Sequence, residues 1–216
     1  MSKQPTALGG DVSNAAASTI TSDMPYVIET TILGSAALLF HRWQSDSIEA
    51  KANAAKGSTA KKTDDVASYV WRDENDTLCI PGAYLAGAIS GPAGAAKYRQ
   101  DPRSPRKSAL DLFKAGVAVT TELAPIITSS GDKATEPDYY DRRRVTVQRA
   151  GVTRVRPAFL AGWSASMVVT VLLPQYISPA LLHDVLVDAG RLVGIADFRP
   201  TFGRFQVTAF TLLDPS

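Results

Sequence analysis

Apolar and polar positions alternate along the chain in short stretches separated by turns rich in Gly, Pro and Asp. Tyr26-Val-Ile-Glu-Thr-Thr-Ile-Leu33 is β-branched and roughly alternating, which predicts a first strand, and Ala36–Phe40 continues it as a short apolar run. The pattern then collapses. Residues 44–67 are polar and rich in small and charged side chains, and read as a mobile insertion in an otherwise compact domain. Ser68–Arg72 and Thr77–Ile80 flank the turn Asp73-Glu-Asn-Asp76 and predict a hairpin. Pro81-Gly82 opens a helix over Ala83–Ala96, with Tyr84, Leu85 and Ile89 on one face and weak points at Gly87 and Gly91-Pro92. A second short helix is predicted over Ser108–Ala115. Val117–Leu123 reads as a strand that Pro125–Thr128 continues or pairs with. Arg144–Gln148 and Gly151–Arg156 read as two short strands, and Ala165–Leu173 as the best buried strand. Ser178–Val193 is the best helix: Ser178 suits the N-cap, Pro179 the first turn, and Leu181, Leu182, Val185, Leu186, Ala189 and Val193 recur at helical spacing. A loop, Asp197–Arg204, leads to a last strand, Phe205–Leu212.

Strands that cluster between two helices predict an α+β fold. It is an antiparallel sheet with helices packed on one face, ferredoxin-like or RNA-recognition-motif-like, with a long inserted loop. The length of 216 residues fits one domain over 25–216 behind a disordered tail over 1–24. With 45% apolar and 20% charged residues a sizeable core is expected. No apolar run is long enough to span a bilayer and the first residues lack a signal-like core, so a soluble, cytoplasmic protein is expected. The single cysteine, Cys79, has no disulfide partner and lies in an apolar strand. With only His41 and His183 besides, a Cys/His metal cage is excluded, and no cofactor is expected.

Charge changes the picture more than composition does. The net charge of +2 argues against a polybasic protein, but it is a sum of opposites. No lysine follows Lys133, and residues 141–216 hold nine arginines against five acids. Arginine makes planar bidentate contacts with phosphate and stacks on bases. Arg142, Arg143, Arg144, Arg154, Arg156, Arg199 and Arg204 are therefore candidate phosphate contacts, and Tyr139, Tyr140, Phe159, Trp163, Phe198, Phe202 and Phe205 candidate stacking surfaces. The competing reading pairs the loop arginines Arg199 and Arg204 with Asp197 or Asp141. His41, Arg42 and Trp43 end the first apolar run and are candidate contacts to backbone or base. The acid groups Asp64-Asp65, Asp73–Asp76 and Asp138…Asp141 admit a metal-dependent nuclease, although turn chemistry explains the second.

Two segments carry a resemblance. Ser68-Tyr-Val-Trp-Arg-Asp73 with Leu78-Cys-Ile-Pro-Gly-Ala-Tyr-Leu-Ala-Gly87 resembles the Val-x-Arg/Lys-Asp … Ile-Pro-Gly-Ser-Ser-Leu-x-Gly segment of the RAMP superfamily, the RNA-binding backbone subunits of CRISPR effector complexes. Arg199-Pro-Thr-Phe-Gly-Arg204 is similar to that superfamily's late glycine-rich loop. The resemblance implies a compact, stand-alone or phage-borne relative that binds single-stranded RNA or DNA, with no membrane partner. It implies assembly side by side along the strand as a homo-oligomer or with other effector-complex subunits. The chain departs from the family at Ala86 and Ser90, where basic residues are common, and near Ala67, where target-cleaving members carry an Asp. A non-catalytic protein is expected. The alternatives are an RNA-processing endonuclease using His41 or Asp64/Asp65, and a structural assembly protein without a nucleic-acid ligand.

Overall fold

The computed structural model describes residues 24–42, 66–147 and 150–213. The tail expected over 1–24 lies outside these residues except for Met24. So does the insertion expected over 44–67, except for Val66 and Ala67, which open a 3-10 turn, Val66–Tyr69.

Strand β1 (Tyr26–Gly34) is the axis of a four-stranded antiparallel sheet. It pairs on one side with β11 (Ser164–Val171), Tyr26 opposite Val171 and Ile32 opposite Ala165, and on the other with β12 (Phe205–Leu213). β7 (Val117–Val119) joins β11 and completes the order β12-β1-β11-β7. Strand side chains alternate faces, so Tyr26, Ile28, Thr30 and Ile32 turn inward with Ala165, Met167, Val169 and Val171. Three helices fill that side: α1 (Gly82–Ser90) between β1 and β7 in chain order, α2 (Leu110–Gly116), and α3 (Pro179–Asp188) between β11 and β12. Leu85 and Ile89, Leu112 and Phe113, and Leu182, Val185 and Leu186 enter the same core, each burial contributing about 2 kcal/mol. Ser178 caps α3 by accepting from the Leu181 N–H at 3.2 Å, and Pro179 occupies the first turn as expected.

Three smaller antiparallel sheets accompany the four-stranded one, where the pattern predicts a single sheet. One joins β2 (Leu38–Leu39), β10 (Ala150–Phe159) and β9 (Tyr139–Val147). A second joins β3 (Trp71–Arg72), β4 (Leu78–Pro81) and β8 (Leu123–Pro125), and a third is the hairpin β5 (Gln100–Asp101) and β6 (Ser104–Ser108). The strand expected over Val117–Leu123 is split between the four-stranded sheet and the second of these smaller ones, β7 pairing with β11 and β8 with β4. The helix expected over Ala83–Ala96 stops at Ser90 because Gly91-Pro92 breaks it, and a 3-10 turn, Ala95–Tyr98, follows. The last helix leaves α-geometry at Asp188 and finishes as a π turn, Ala189–Val193. There a Cβ on Gly190 would sit 2.2 Å from the Phe205 carbonyl. Among the described residues no helix is long and apolar enough to cross a membrane.

Candidate nucleic-acid interface

β9 and β10 pair so that Arg156 faces Asp141, Val155 faces Arg142, Arg154 faces Arg143 and Thr153 faces Arg144. Because strand side chains alternate, the run Arg142–Arg144 cannot act as one cluster. Arg143 joins Asp141, Arg154 and Arg156 on one face, while Tyr140, Arg142 and Arg144 project exposed from the other.

The first face is covered by the chain between α3 and β12. Backbone bonds fix this loop to the β1–β2 connection: Asp197 N–H to the Leu39 carbonyl (3.0 Å), Gly203 N–H to Ala37 (2.8 Å) and Ser35 N–H to Arg204 (2.9 Å). Within the loop the Ile195 N–H donates to the Gly203 carbonyl (2.9 Å). Gly203 is needed twice over: its φ is 71°, and a Cβ would stand 1.9 Å from the Ile195 carbonyl oxygen. Ala196 and Phe198 take left-handed backbone (φ 62° and 61°), a conformation that side chains other than glycine hold only where the surroundings over-determine it.

What the loop delivers is a pair of aromatic rings into a field of guanidinium groups. Phe202 is buried with Leu39 and Ala158, and Phe198 meets it edge to face at 6.3 Å. The Arg143 guanidinium lies 4.4 Å from the Phe202 centroid and 5.9 Å from that of Phe198, and Arg156 lies 5.0 Å from Phe198. Arg143 Nε donates to Asp141 (2.6 Å), and this bond raises the Arg143 pKa further. Arg156, its side chain 4% exposed, pairs through Nε with Asp197, and its Nη1 is buried with no hydrogen-bond partner among the described residues.

His41 and Arg42 extend the arrangement. Arg154 Nη1 lies 2.8 Å from His41 Nε2. Arginine has only donors, so this nitrogen accepts and the ring is the neutral tautomer with its proton on Nδ1. Tyr69 packs edge-on against the imidazole at 4.7 Å. Arg42 stacks 4.1 Å over Trp71, whose Nε1 donates to the Tyr84 hydroxyl at 3.4 Å. Burial lifts the Tyr84 phenol above its usual range, against that hydrogen bond.

The structure therefore divides the candidate residues. His41, Arg143, Arg154 and Arg156 come together and are engaged by other side chains. Arg142, Arg144, Arg199 and Arg204 are exposed and make no ion pair among the described residues. The carboxylates that the sequence offered to Arg199 and Arg204 are taken by Arg156 and Arg143 instead. Trp43, Asp64 and Asp65 lie outside the described residues. Phe159, Trp163 and Phe205 are core residues, which corrects their reading as stacking surfaces; the Trp163 Nε1 donates to the Ala36 carbonyl at 2.9 Å. Asp73 builds the β3–β4 turn, accepting from Asn75 and Thr77 N–H groups. Cys79 is buried, and burial pushes its thiol pKa up. The His183 ring stacks edge-on against Phe210 at 5.3 Å. Among the described residues no group of three or more His, Cys, Asp or Glu is placed to hold a metal ion.

Sequence reading missed Trp71 and Tyr84, although both lie in the segment that carries the family resemblance. It also missed a second basic region, the exposed Lys97, Arg106 and Lys107 on and beside the β5–β6 hairpin. Its signal was the run Arg103-Ser-Pro-Arg-Lys107, hidden by the absence of any apolar alternation.

No family model matches the chain, and no curated protein matches it. Among solved structures it is similar to a chain in the cryo-EM structure of the Type III-B Cmr-beta bound to cognate target RNA, at 10% sequence identity and a TM-score of 0.45. The match covers 88% of this chain and 61% of that one, so this chain spans about three fifths of the length of its match.

Proposed function

We propose that this chain is a RAMP-like protein of RNA-recognition-motif fold that binds single-stranded nucleic acid without cleaving it and assembles along the strand. The carrying observation is four exposed arginines with no ion pair among the described residues: Arg142 and Arg144 on the open face of the β9–β10 hairpin, and Arg199 and Arg204 on the loop whose Phe198 and Phe202 meet Arg143 and Arg156 on the opposite face. Unpaired guanidinium groups on a loop and a hairpin suit a phosphate backbone, and Tyr140 beside Arg142 offers a ring to a base. The fold reading is supported by the order β12-β1-β11-β7, with α1 and α3 as crossovers, which is the connectivity of the β-α-β-β-α-β unit. The RAMP reading rests on the Ile-Pro-Gly segment. Pro81-Gly82 turns β4 into α1 at a point where a Cβ on Gly82 would meet the Thr121 carbonyl at 1.9 Å. The non-cleaving reading is supported by His41: its Nε2 lone pair, the one a general base would use, is occupied by Arg154.

The test is retention of labelled single-stranded RNA and DNA by the purified full chain across a salt series, with intact strand recovered after incubation with Mg²⁺. Binding is expected to weaken steeply and linearly in log salt. Salt-insensitive behaviour or no retention overturns the binding reading. Cleavage that is lost in His41→Ala or Asp65→Ala overturns the non-catalytic one. Oligomers that form alone and ignore nucleic acid would favour a structural assembly protein.

A further inference from the structure

A cleft of about 290 Å³ opens between the Ala95–Tyr98 turn, the Ala189–Val193 turn and the Arg199-Pro200 step. Its floor is apolar, made by Ala93, Leu192, Val193 and Pro200. Its rim holds one ring, Tyr98, and two cations, Lys97 and Arg199. Among the described residues no carboxylate lines it. Asp184 and Asp188, the acids of α3 nearest in sequence to its Leu192 wall, are already taken: Arg99 donates to both (3.0 and 2.7 Å) and Arg191 to Asp188 (3.1 Å). Tyr98 is 54% exposed, and Lys97 Nζ rests over its ring, 4.8 Å from the centroid, which leaves the other face of the ring to a base.

We propose that this cleft holds one unstacked nucleotide of the bound strand, the base against Tyr98 and the apolar floor and the phosphate between Lys97 and Arg199. The inference rests on the reading of the chain as a single-strand binder and adds a position to it. A flat base joined to a phosphodiester anion is what a ring, an apolar floor and two cations select. The volume is at the small end for ligand sites, about 300 Å³ upward, which suits a single base-sized group. Continuity comes from Arg199, which follows Phe198 directly, so the cleft opens where the arginine and aromatic face ends. The basic hairpin β5–β6 leaves from the same turn two residues after Tyr98, so the strand has cations beyond the cleft as well as before it.

The experiment uses the full chain and single strands carrying one 2-aminopurine, read by anisotropy for affinity and by fluorescence intensity for the base's surroundings. Tyr98→Ala is expected to weaken binding about tenfold and to abolish the intensity change, with Tyr98→Phe restoring both. Tyr98 is exposed, so an unchanged melting temperature in Tyr98→Ala certifies the fold. If Tyr98→Ala binds and reports like the wild type while Arg142→Gln/Arg144→Gln loses affinity, the cleft inference fails and the interface stands. If wild type retains no strand, the interface reading fails, and the cleft is decided by titrating adenosine monophosphate against Tyr98 ring resonances. Perturbation of those resonances then supports a nucleotide site and silence overturns it. Displacement of the strand by polyglutamate from Tyr98 as readily as by competing strand also overturns it, in favour of an acidic peptide.

Discussion

The outward face of the four-stranded sheet and the β9–β10 hairpin are both antiparallel surfaces reached by solvent, and they differ in every chemical respect that matters to a polyanion. The first presents Val27, Glu29, Thr31 and Leu33 from β1, Ser166, Val168 and Thr170 from β11, and Ala209 and Thr211 from β12, with neither an arginine nor a ring among these. Its hydroxyls satisfy each other, as Thr31 and Ser166 do at 2.8 Å, and its one charge is a carboxylate. The hairpin presents Tyr140, Arg142 and Arg144 to solvent on one face, and on the other, under the loop, it holds Arg143, Arg154 and the buried Arg156. In an RNA-recognition motif the bases stack on aromatics of the sheet itself. On the proposed reading the sheet is a scaffold instead, holding β1 and β12 so that the loop between α3 and β12 lands on the hairpin.

The strongest way to break this contrast is to remove charge from one side only. Arg142→Gln/Arg144→Gln/Arg199→Gln/Arg204→Gln is expected to weaken single-strand binding by about a thousandfold at low salt and to flatten the salt slope by about 3, at about 0.7 per phosphate contact. Thr31→Ala/Ser166→Ala on the open sheet should leave Kd within twofold. Equal losses in the two variants would mean that the sheet face carries strand after all.

Second in size is the loop's hinge. Gly203→Ala places a methyl group 1.9 Å from the Ile195 oxygen at φ 71°, against backbone and not against a movable side-chain tip. A loss on the order of 4 kcal/mol in chemical denaturation is expected, and strand binding should fall with it. A variant as stable as the wild type would show that the loop does not need to be closed on the hairpin.

These two regions were not equally legible in the sequence. β1, β11, β12 and α3 carry their own periodicity, so alternation and the Ser178-Pro179 start place them within a few residues. β9 and β10 run to nine and ten residues, well beyond the stretches read, because arginine and tyrosine supply no apolar alternation and the ladder is maintained by register instead. The pairing of Arg143 with Asp141 is a two-residue relation on one strand face and became visible only once that strand was seen to begin at Tyr139. The burial of Arg156 against Asp197 joins positions 41 residues apart and has no local signature. The β5–β6 hairpin was missed for the reason β9 was shortened: its residues are almost all polar.

The Arg156–Asp197 pair offers a way to sharpen the contrast, since a buried arginine can hold the loop or await a phosphate. Asp197→Ala strands a buried cation and is expected to cost about 3 kcal/mol. Arg156→Met/Asp197→Val removes both charges and should recover most of that loss, as buried pairs exchanged for apolar side chains often do. If binding to single strands stays within threefold of wild type in the recovered variant, Arg156 acts through the loop's position. A tenfold or greater loss at restored stability would move Arg156 into the interface proper.

The smallest effect is expected in the sheet that carries Trp71, and it is read by pH. The bond from the Thr77 N–H, helped by that from Asn75, holds the Asp73 carboxyl below the usual carboxylate range, against its own desolvation. A folded-state pKa below the unfolded one means that the stabilisation is fully present above the ordinary carboxylate value, about 4, and is lost as pH falls through the lowered folded value. The urea midpoint of Asp73→Ala should therefore lie below that of the wild type at pH 7, and the two should converge as the solution is taken down toward pH 2. If the gap is the same at both ends, the ionisation of Asp73 adds nothing to the turn, and its side chain holds Asn75 and Thr77 as well when protonated.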